Sequence, residues 1–170
     1  SQMSDTAAHP EKLVETQWST TACSKCTRRR CFYCPSCMLP VGVPAGVEVP
    51  QVRLPLHVDL IFRDNLVKST GPQACVLAPG RVRMIRTLTD ADLDSVLPSY
   101  DPATTVIVFP SSDAVTMDEL FEAKKEVSQV SSTSLQRIVM IDTPWKKAKA
   151  LSRHPKLAAL TQVKLSNTSR

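Results

Sequence analysis

Residues 137–152 read RIVMIDTPWKKAKALS, and this stretch joins the end of a strand to the start of a helix. Ile138 to Ile141 form a short, mostly β-branched apolar run, which is typical of a strand buried on both faces of a sheet. Asp142 ends the run. We expect Thr143 to cap the following helix and Pro144 to occupy its first position, where the missing N–H costs nothing. Since open α/β sheets bind ligands at the carboxyl ends of their strands, the stretch is a candidate binding site.

The helix predicted after Pro144 begins with an aromatic residue and a group of cations, Trp145, Lys146, Lys147 and Lys149. Two other basic clusters, Arg28–Arg30 and the arginines at positions 81, 83 and 86, accompany a net charge of +5 over 170 residues. Clustered positive charge favours nucleic acid as the partner. The sequence has no run of about 18 apolar residues and therefore predicts no membrane segment.

Strand-like and helix-like segments alternate along the rest of the chain. Strands are predicted at Leu56–Phe62, Arg81–Thr87, Thr104–Phe109 and Gln162–Leu165. One helix is predicted between Gly71 and Pro79-Gly80. A second is predicted after the capping box of Thr116 and Glu119, with an apolar face of Leu120, Ala123, Val127 and Val130. The acidic segment 90–100 reads as turns. The alternation predicts an α/β fold, with a mostly parallel sheet and helices on both faces.

Five of the six cysteines fall within residues 23–37. Two C-x-x-C pairs, Cys23 with Cys26 and Cys34 with Cys37, have the spacing that places four thiolates around zinc. We therefore predict a small N-terminal zinc knuckle with Cys31 outside the ligand set. A four-thiolate iron–sulfur cluster is one alternative. Disulfides are another, but they need an oxidising compartment. Nothing in the sequence directs secretion, so we expect an intracellular protein, of the nucleus, the cytoplasm or an organelle.

Two further motifs have both a binding and a structural interpretation. Ser69 and Thr70 precede a predicted helix whose first N–H groups suit a phosphate or a carboxylate, and ordinary capping is the alternative. Arg28–Arg30, followed by Phe32 and Tyr33, suit a phosphate backbone and a stacked base. In the structural interpretation, the two rings pack the metal core and the arginines are solvated.

The motifs, taken together in their order, resemble the DTW-domain family of tRNA-uridine aminocarboxypropyltransferases. The resemblance runs from Cys23 to Leu165 through C-S-K-C, C-P-S-C, LPLHVDLIF, KSTG, LAPGRV, VIVFP, IDTPWKKAKAL and L-x-x-L-x-x-V-x-L. It implies a SPOUT-like fold and S-adenosylmethionine as donor. The implied reaction transfers the 3-amino-3-carboxypropyl group to N3 of a uridine in tRNA.

The resemblance also implies roles for individual residues. Asp142 would be the general base or would orient the donor's amine. Ser69 and Thr70 would hold the donor's carboxylate, and Thr143 and Trp145 would shape its pocket. The tRNA phosphates would meet Arg28, Arg29, Arg30, Lys146, Lys147 and Lys149.

The expected organisation is a polar tail (1–20), a four-cysteine zinc knuckle (21–38), a Pro-rich extended connector (39–55) and an α/β DTW domain (56–170). Two departures from the family leave enzymatic activity open. Pro144 stands directly before Trp145, where the family usually has Thr. The chain also stops at Arg170, where relatives continue, so we expect the domain to be incomplete. The alternatives to a transferase are a non-catalytic RNA-binding or assembly protein of a ribonucleoprotein such as a ribosome, and a thiol redox protein.

Overall fold

The computed structural model describes residues 17–89, 91–127 and 134–165 of the chain, so most of the predicted polar tail lies outside the described residues. Four short strands come first: β1 (Thr21–Ala22), β2 (Arg29–Arg30), β3 (Phe32–Cys34) and β4 (Leu39–Val41). Six further strands follow: β5 (His57–Phe62), β6 (Val82–Arg86), β7 (Thr105–Val108), β8 (Val115–Thr116), β9 (Arg137–Asp142) and β10 (Thr161–Lys164). The helices are α1 (Gly71–Leu77), α2 (Leu93–Val96), α3 (Met117–Val127), α4 (Trp145–Leu151) and α5 (Pro155–Ala158), and Leu66–Lys68 form a 3-10 turn. No helix in these ranges is long and apolar enough to cross a membrane.

The six later strands form one sheet in the order β6-β5-β9-β7-β10-β8, and the neighbouring strands are parallel. This confirms the predicted α/β fold. Strand β9 lies between β5 and β7, and Asp142 at its end pairs in register with Phe62 at the end of β5. The carboxyl ends of β5 and β9 therefore meet at one edge of the sheet, which we call the carboxyl edge.

Helices cover both faces of the sheet, as predicted. On one face, Ile61, Ile107 and Val139 pack with the apolar residues of α2, α4 and α5. On the other face, α1 packs over β5 and β6, while α3 packs over β7 and β10. Successive side chains of a strand point to opposite faces of the sheet, so each strand contributes apolar residues to both cores. The strand sequences are therefore nearly continuous apolar runs.

The prediction that β9 is buried on both faces is wrong at Met140, which is 41% exposed. Met140 lies between Leu60 of β5 and Val108 of β7, on the face that α1 and α3 share. Because these two helices pack over opposite halves of that face, a strip of it over β9 stays open. Val139, which points to the other face, is fully buried.

A buried carboxylate joins three elements of the fold to β5. Asp59 of β5 is 0% exposed, and its two oxygens accept bonds from Arg83 Nε and Nη2 (3.1 and 2.6 Å), Arg137 Nη1 (2.7 Å) and Tyr100 Oη (3.0 Å). Burial and the nearby Asp59 carboxylate raise the pKa of Tyr100 above its ordinary value of 10.0, so the phenol stays a donor. The one signal for this cluster in the sequence is a single acid inside an apolar strand.

The predicted start of α4 needs correction. Pro144 is itself the cap residue, with extended backbone (φ −53°, ψ 139°), and no side chain caps the helix. The Thr143 hydroxyl donates instead to the carbonyl oxygen of Pro144 (3.2 Å). Since Pro144 already occupies the cap position, Thr143 lies one residue too early to reach the helix N–H groups.

The two other local predictions for helices have different outcomes. The capping box is confirmed, because Thr116 N donates to Glu119 Oε2 (2.6 Å) and Glu119 N donates to Thr116 Oγ1 (3.2 Å). On the predicted apolar face of α3, Leu120 is buried but Ala123 is exposed, and the described side chains of α3 that reach the core are Met117 and Leu120. The side chains of Val127 and Val130 lie outside the described residues. The segment 90–100, predicted as turns, contains α2, because Leu93 and Leu97 are buried in the core.

Candidate active site and metal centre

Two motifs that are distant in sequence meet at the carboxyl edge of the sheet. The Ser69 hydroxyl donates to Asp142 Oδ2 (2.5 Å), and the Gly71 N–H donates to the same Ser69 oxygen (2.9 Å). Both Ser69 and Asp142 are half-buried. The carboxylate of β9 is therefore held in a fixed orientation by the segment that begins α1.

Gly71 makes this contact possible. A Cβ at that position would lie 2.5 Å from Met84 Cε, 3.1 Å from Ser69 Oγ and 3.2 Å from Asp142 Oδ2. Real Cβ atoms are not found as close as the first distance, so any larger residue would displace at least one of these neighbours. The absent side chain thus leaves room for the end of the Met84 side chain and for the Ser69–Asp142 pair in their observed positions.

Thr70 and Thr143 lie next to this contact in sequence but make other interactions. Thr70 is exposed and makes no side-chain capping bond to α1. Thr143 is half-buried and bonds to Pro144 as described. Of the four residues expected to touch the donor, Ser69 is the one that contacts Asp142 directly.

A cleft of about 910 Å³ opens beside the same edge, between the end of β7 and the helices α4 and α5. Trp145 is 62% exposed, and its ring stacks on Phe109 with centroids 5.4 Å apart and planes 12° from parallel. This exposure shows that Trp145 is not a core residue packing α4 onto the sheet. Lys149, Arg153 and Asp113 also line the cleft, so an open aromatic surface stands beside two cations and one carboxylate.

The four cysteines of the two C-x-x-C pairs converge near the N-terminus. The sulfur atoms of Cys23, Cys26, Cys34 and Cys37 all lie within 4.8 Å of one another, as the spacing predicted. Cys31 is outside this group.

The two halves of this cluster are built alike. Thr27 N donates to Cys23 O (2.9 Å), and Met38 N donates to Cys34 O (2.8 Å). The two residues that follow the pairs, Thr27 and Met38, both have positive φ (61° and 54°). The left-handed conformation is unusual for such side chains, so each turn is held in a demanding geometry that aims its two thiols at one point.

The thiols of the cluster also differ in pKa. Backbone N–H groups, first that of Cys26 and then that of Lys25, lower the pKa of the Cys23 thiol from 9.0 to about 6. Burial, followed by bonds to the other thiols, raises the pKa of Cys37 to about 12. A thiolate at Cys23 therefore disfavours a second one nearby. A divalent cation would remove that repulsion, which is the chemistry expected of a metal centre.

Comparison with known proteins gives the family. The family profile of the DTW domain matches residues 31–170. The chain belongs to the DTW domain family. The stretch Asp142-Thr143-Pro144-Trp145, which joins β9 to α4, therefore stands inside the matched region of a DTW domain.

Several proteins named tRNA-uridine aminocarboxypropyltransferase 1 are similar to this DTW-domain chain. The Mus musculus protein is 26% identical over 195 aligned positions, which cover 93% of this chain and 62% of the relative. The Homo sapiens protein is 25% identical with the same coverage, and the Xenopus tropicalis protein is 34% identical over 57% of this chain and 32% of the relative. The chain thus spans about three fifths of the length of the mouse and human relatives. No solved structure gives a significant match, so the SPOUT-like architecture stays a prediction.

The predicted RNA-binding residues form two separate groups on the DTW-domain chain. Lys146, Lys147 and Lys149 are exposed along α4. Arg28 and Arg29 are exposed near the cysteine cluster, where Arg30 is half-buried. Arg28 also lines a cleft of about 630 Å³ with Cys26, Asp64, Asn65 and Arg86. That cleft connects the cysteine cluster to the carboxyl ends of β5 and β6.

Sequence reasoning missed three members of the site. Phe109 and Arg153 line the cleft of Trp145, and Gly71 allows the contact with Asp142. Phe109 ends a predicted strand and is followed by the polar loop 110–113, a signal that could have placed it at the carboxyl edge. For Gly71 and Arg153 no pattern in the sequence indicates a role, because each depends on how distant elements pack.

Proposed function

We propose that this chain forms the catalytic part of a tRNA-uridine aminocarboxypropyltransferase, which moves the 3-amino-3-carboxypropyl group of S-adenosylmethionine to N3 of a uridine in tRNA. The observation that carries the proposal is the bond between Ser69 and Asp142. It unites the KSTG and DTPW motifs across 73 residues of sequence, at the edge where parallel sheets bind their ligands. Membership of the DTW domain family and the named relatives support the same conclusion.

The residues at this edge suit such a donor in their chemistry, although Ser69 and Asp142 do not line the cleft beside Trp145. The cleft of about 910 Å³ beside Trp145 lies within the range of roughly 300–1,000 Å³ typical of small-molecule sites. The exposed face of Trp145 suits an adenine ring, and the Ser69 region suits the polar amino-acid end. When bound, S-adenosylmethionine supplies a carbon activated by a sulfonium leaving group.

Asp142 is the proposed base in this reaction. The N3 proton of uracil must leave before that nitrogen can form its new bond, and a positioned carboxylate is one means of removing it. Ser69 is a positioning residue, because its hydroxyl fixes the orientation of the Asp142 carboxylate and is itself fixed by the Gly71 N–H. Thr143 and Trp145 would border the donor.

We propose zinc for the cysteine cluster. Tetrahedral ligation at about 2.3 Å places the sulfurs roughly 3.8 Å apart, and the observed cluster, with all sulfurs within 4.8 Å, needs a contraction of about 1 Å at most. Four protein ligands would close the site to substrate, so the metal would be structural. The two basic groups described above would then contact tRNA phosphates, where each cation adds an affinity that depends on salt.

The test is mass spectrometry of tRNA nucleosides after incubation with S-adenosylmethionine. We expect wild type to add one aminocarboxypropyl group to uridine, and Asp142→Asn to reduce the rate by about 100-fold or more, the usual contribution of a general base. Glu48→Gln is the matched control, because that residue is exposed and lies in the segment between β4 and β5, away from the proposed site. A wild-type chain that binds tRNA but forms no product would refute the transferase and favour a non-catalytic RNA-binding protein.

A further inference from the structure

A second aromatic surface stands on the cysteine cluster, away from the Asp142 contact. Phe32 is 56% exposed, and its ring lies 5.3 Å from that of Trp18 at an angle of 41°. We call these two residues the aromatic platform. A hollow of about 260 Å³ adjoins it, lined also by Tyr33, Val49, Pro50, Gln73, Val76 and Leu77.

Both halves of the platform are fixed in place. Phe32 has φ +69°, a conformation that is a genuine outlier for a bulky residue and that persists only where the surrounding structure enforces it. Trp18 is held by its neighbour Ser19, whose N–H donates to Gly42 O (3.2 Å). A Cβ on Gly42 would collide with the Ser19 carbonyl, so this close approach requires glycine. An exposed ring in a strained conformation is poor for stability, which indicates a contact with another molecule.

The charge beside the aromatic platform indicates what kind of molecule would contact it. Strands β1 and β2 pair so that Thr21 faces Arg30 and Ala22 faces Arg29, which places the arginines on the hairpin just beyond the two rings. The Arg29 guanidinium donates to Thr20 O (2.7 Å), two residues from Trp18. None of the described residues that line the hollow is charged, so the arginines beside it supply the local charge. Aromatic rings next to clustered arginines are the features that bind single-stranded nucleic acid, by stacking and by phosphate contact.

We propose that an unpaired RNA base stacks on the aromatic platform while Arg29 holds the adjacent phosphate. The inference deepens the proposed function and rests on it for the identity of the RNA as tRNA. The surface beside the cysteine cluster would then bind an unpaired nucleotide in a loop or at an end of the tRNA, because bases inside a duplex cannot stack on protein rings.

The fluorescence of Trp18 tests the proposal directly. The chain has two tryptophans, so Trp145→Phe leaves Trp18 as the single indole reporter in a common background. The probes are a short oligouridylate and an abasic ribose-phosphate chain of the same length, which carries the same charge without bases. We expect the oligouridylate to quench Trp18 and to bind more tightly than the abasic chain.

Variants separate stacking from charge. Phe32→Asn removes the ring and suits positive φ; we expect about tenfold weaker oligouridylate binding and unchanged binding of the abasic chain. Phe32→Tyr keeps the ring and should retain wild-type affinity, whereas Arg29→Gln should weaken both probes. Equal affinity for the two probes, or full binding by Phe32→Asn, would overturn the proposal, as would a platform that takes an apolar peptide and no oligonucleotide. These readouts need no donor, so they fail or succeed independently of the transferase assay.

Discussion

Replacing the buried Asp59 by Asn should destabilise the fold more than replacing an exposed carboxylate by the corresponding amide. Each Asp59 oxygen accepts two bonds, from Arg83 and Arg137 on one side and from Arg83 and Tyr100 on the other. An Asn amide has one oxygen, so in either orientation two of the four donors face an N–H₂ group. Bonds to charged partners contribute about 1.5–3 kcal/mol each. The Arg83 and Arg137 side chains are 55% and 29% exposed and can turn to water, so we expect a loss near the lower end, about 3 kcal/mol for the two bonds.

Urea denaturation at pH 7 measures the free energy of unfolding of wild type and of each variant. Arg83→Met should cost about 1–2 kcal/mol, since Arg137 and Tyr100 stay on the carboxylate and an exposed ion pair contributes little. The double variant should cost less than the sum by about 1 kcal/mol, because both changes remove the same bonds. Glu48→Gln, at an exposed position, should stay within about 0.5 kcal/mol of wild type. A cost below about 1 kcal/mol for Asp59→Asn, or strict additivity, would refute the reasoning.

The thiol cluster, the serine–aspartate pair and the capping box each give a further prediction. Cys34→Ser should abolish stoichiometric zinc, measured by elemental analysis of the purified chain, whereas Cys31→Ser should retain it; equal zinc contents would contradict the ligand set. Gly71→Ala should lower the free energy of unfolding by about 1–3 kcal/mol and weaken the binding of S-adenosylmethionine in calorimetry, because the new methyl group would lie 3.1 Å from Ser69 Oγ and 3.2 Å from Asp142 Oδ2 and would push the pair apart slightly; unchanged affinity would separate that pair from the donor. The Thr116 N–H and hydroxyl lower the pKa of Glu119 below 4.5, so the stabilisation is present above pH 4.5 and is lost as the pH falls through the folded pKa. Glu119→Ala should therefore be less stable than wild type at pH 7 and indistinguishable from it near about pH 2 in urea unfolding.

Much of the fold could be predicted because local patterns and tertiary packing agree. Apolar runs predicted β5, β7 and β9, and the capping box at Thr116 predicted the start of α3. The C-x-x-C spacing predicted the thiol cluster, since each turn is a local structure that needs no distant partner. Where the residue types, the spacing of apolar residues and the turn residues all predict the same structural element, the sequence alone is sufficient to locate that element.

The errors arise where distant elements decide the outcome. Met140 is exposed because α1 and α3 cover opposite halves of one face, and no pattern within β9 reports where a helix will lie. The partners around Asp59 come from elements up to 78 residues apart, so a single acid in an apolar strand could be noticed but its donors could not be named. The sequence around Trp145 is compatible with a core position and with a site position, and only the packing of α4 leaves its ring exposed.

Helix α1 contacts residues of both the cysteine cluster and the proposed active site. Met38, placed by the turn of the second cysteine pair, packs in the same apolar cluster as Cys75 of α1. The same helix begins at Gly71, whose N–H donates to the Ser69 oxygen that contacts Asp142. Seven residues at about 1.5 Å each make this helix roughly 10 Å long, so one short rigid element carries both contacts. If the metal fixes the second turn, it also fixes the position of α1 and therefore the orientation of the Asp142 carboxylate. A structural zinc outside the reaction would in this way control the geometry of the residue that carries it out.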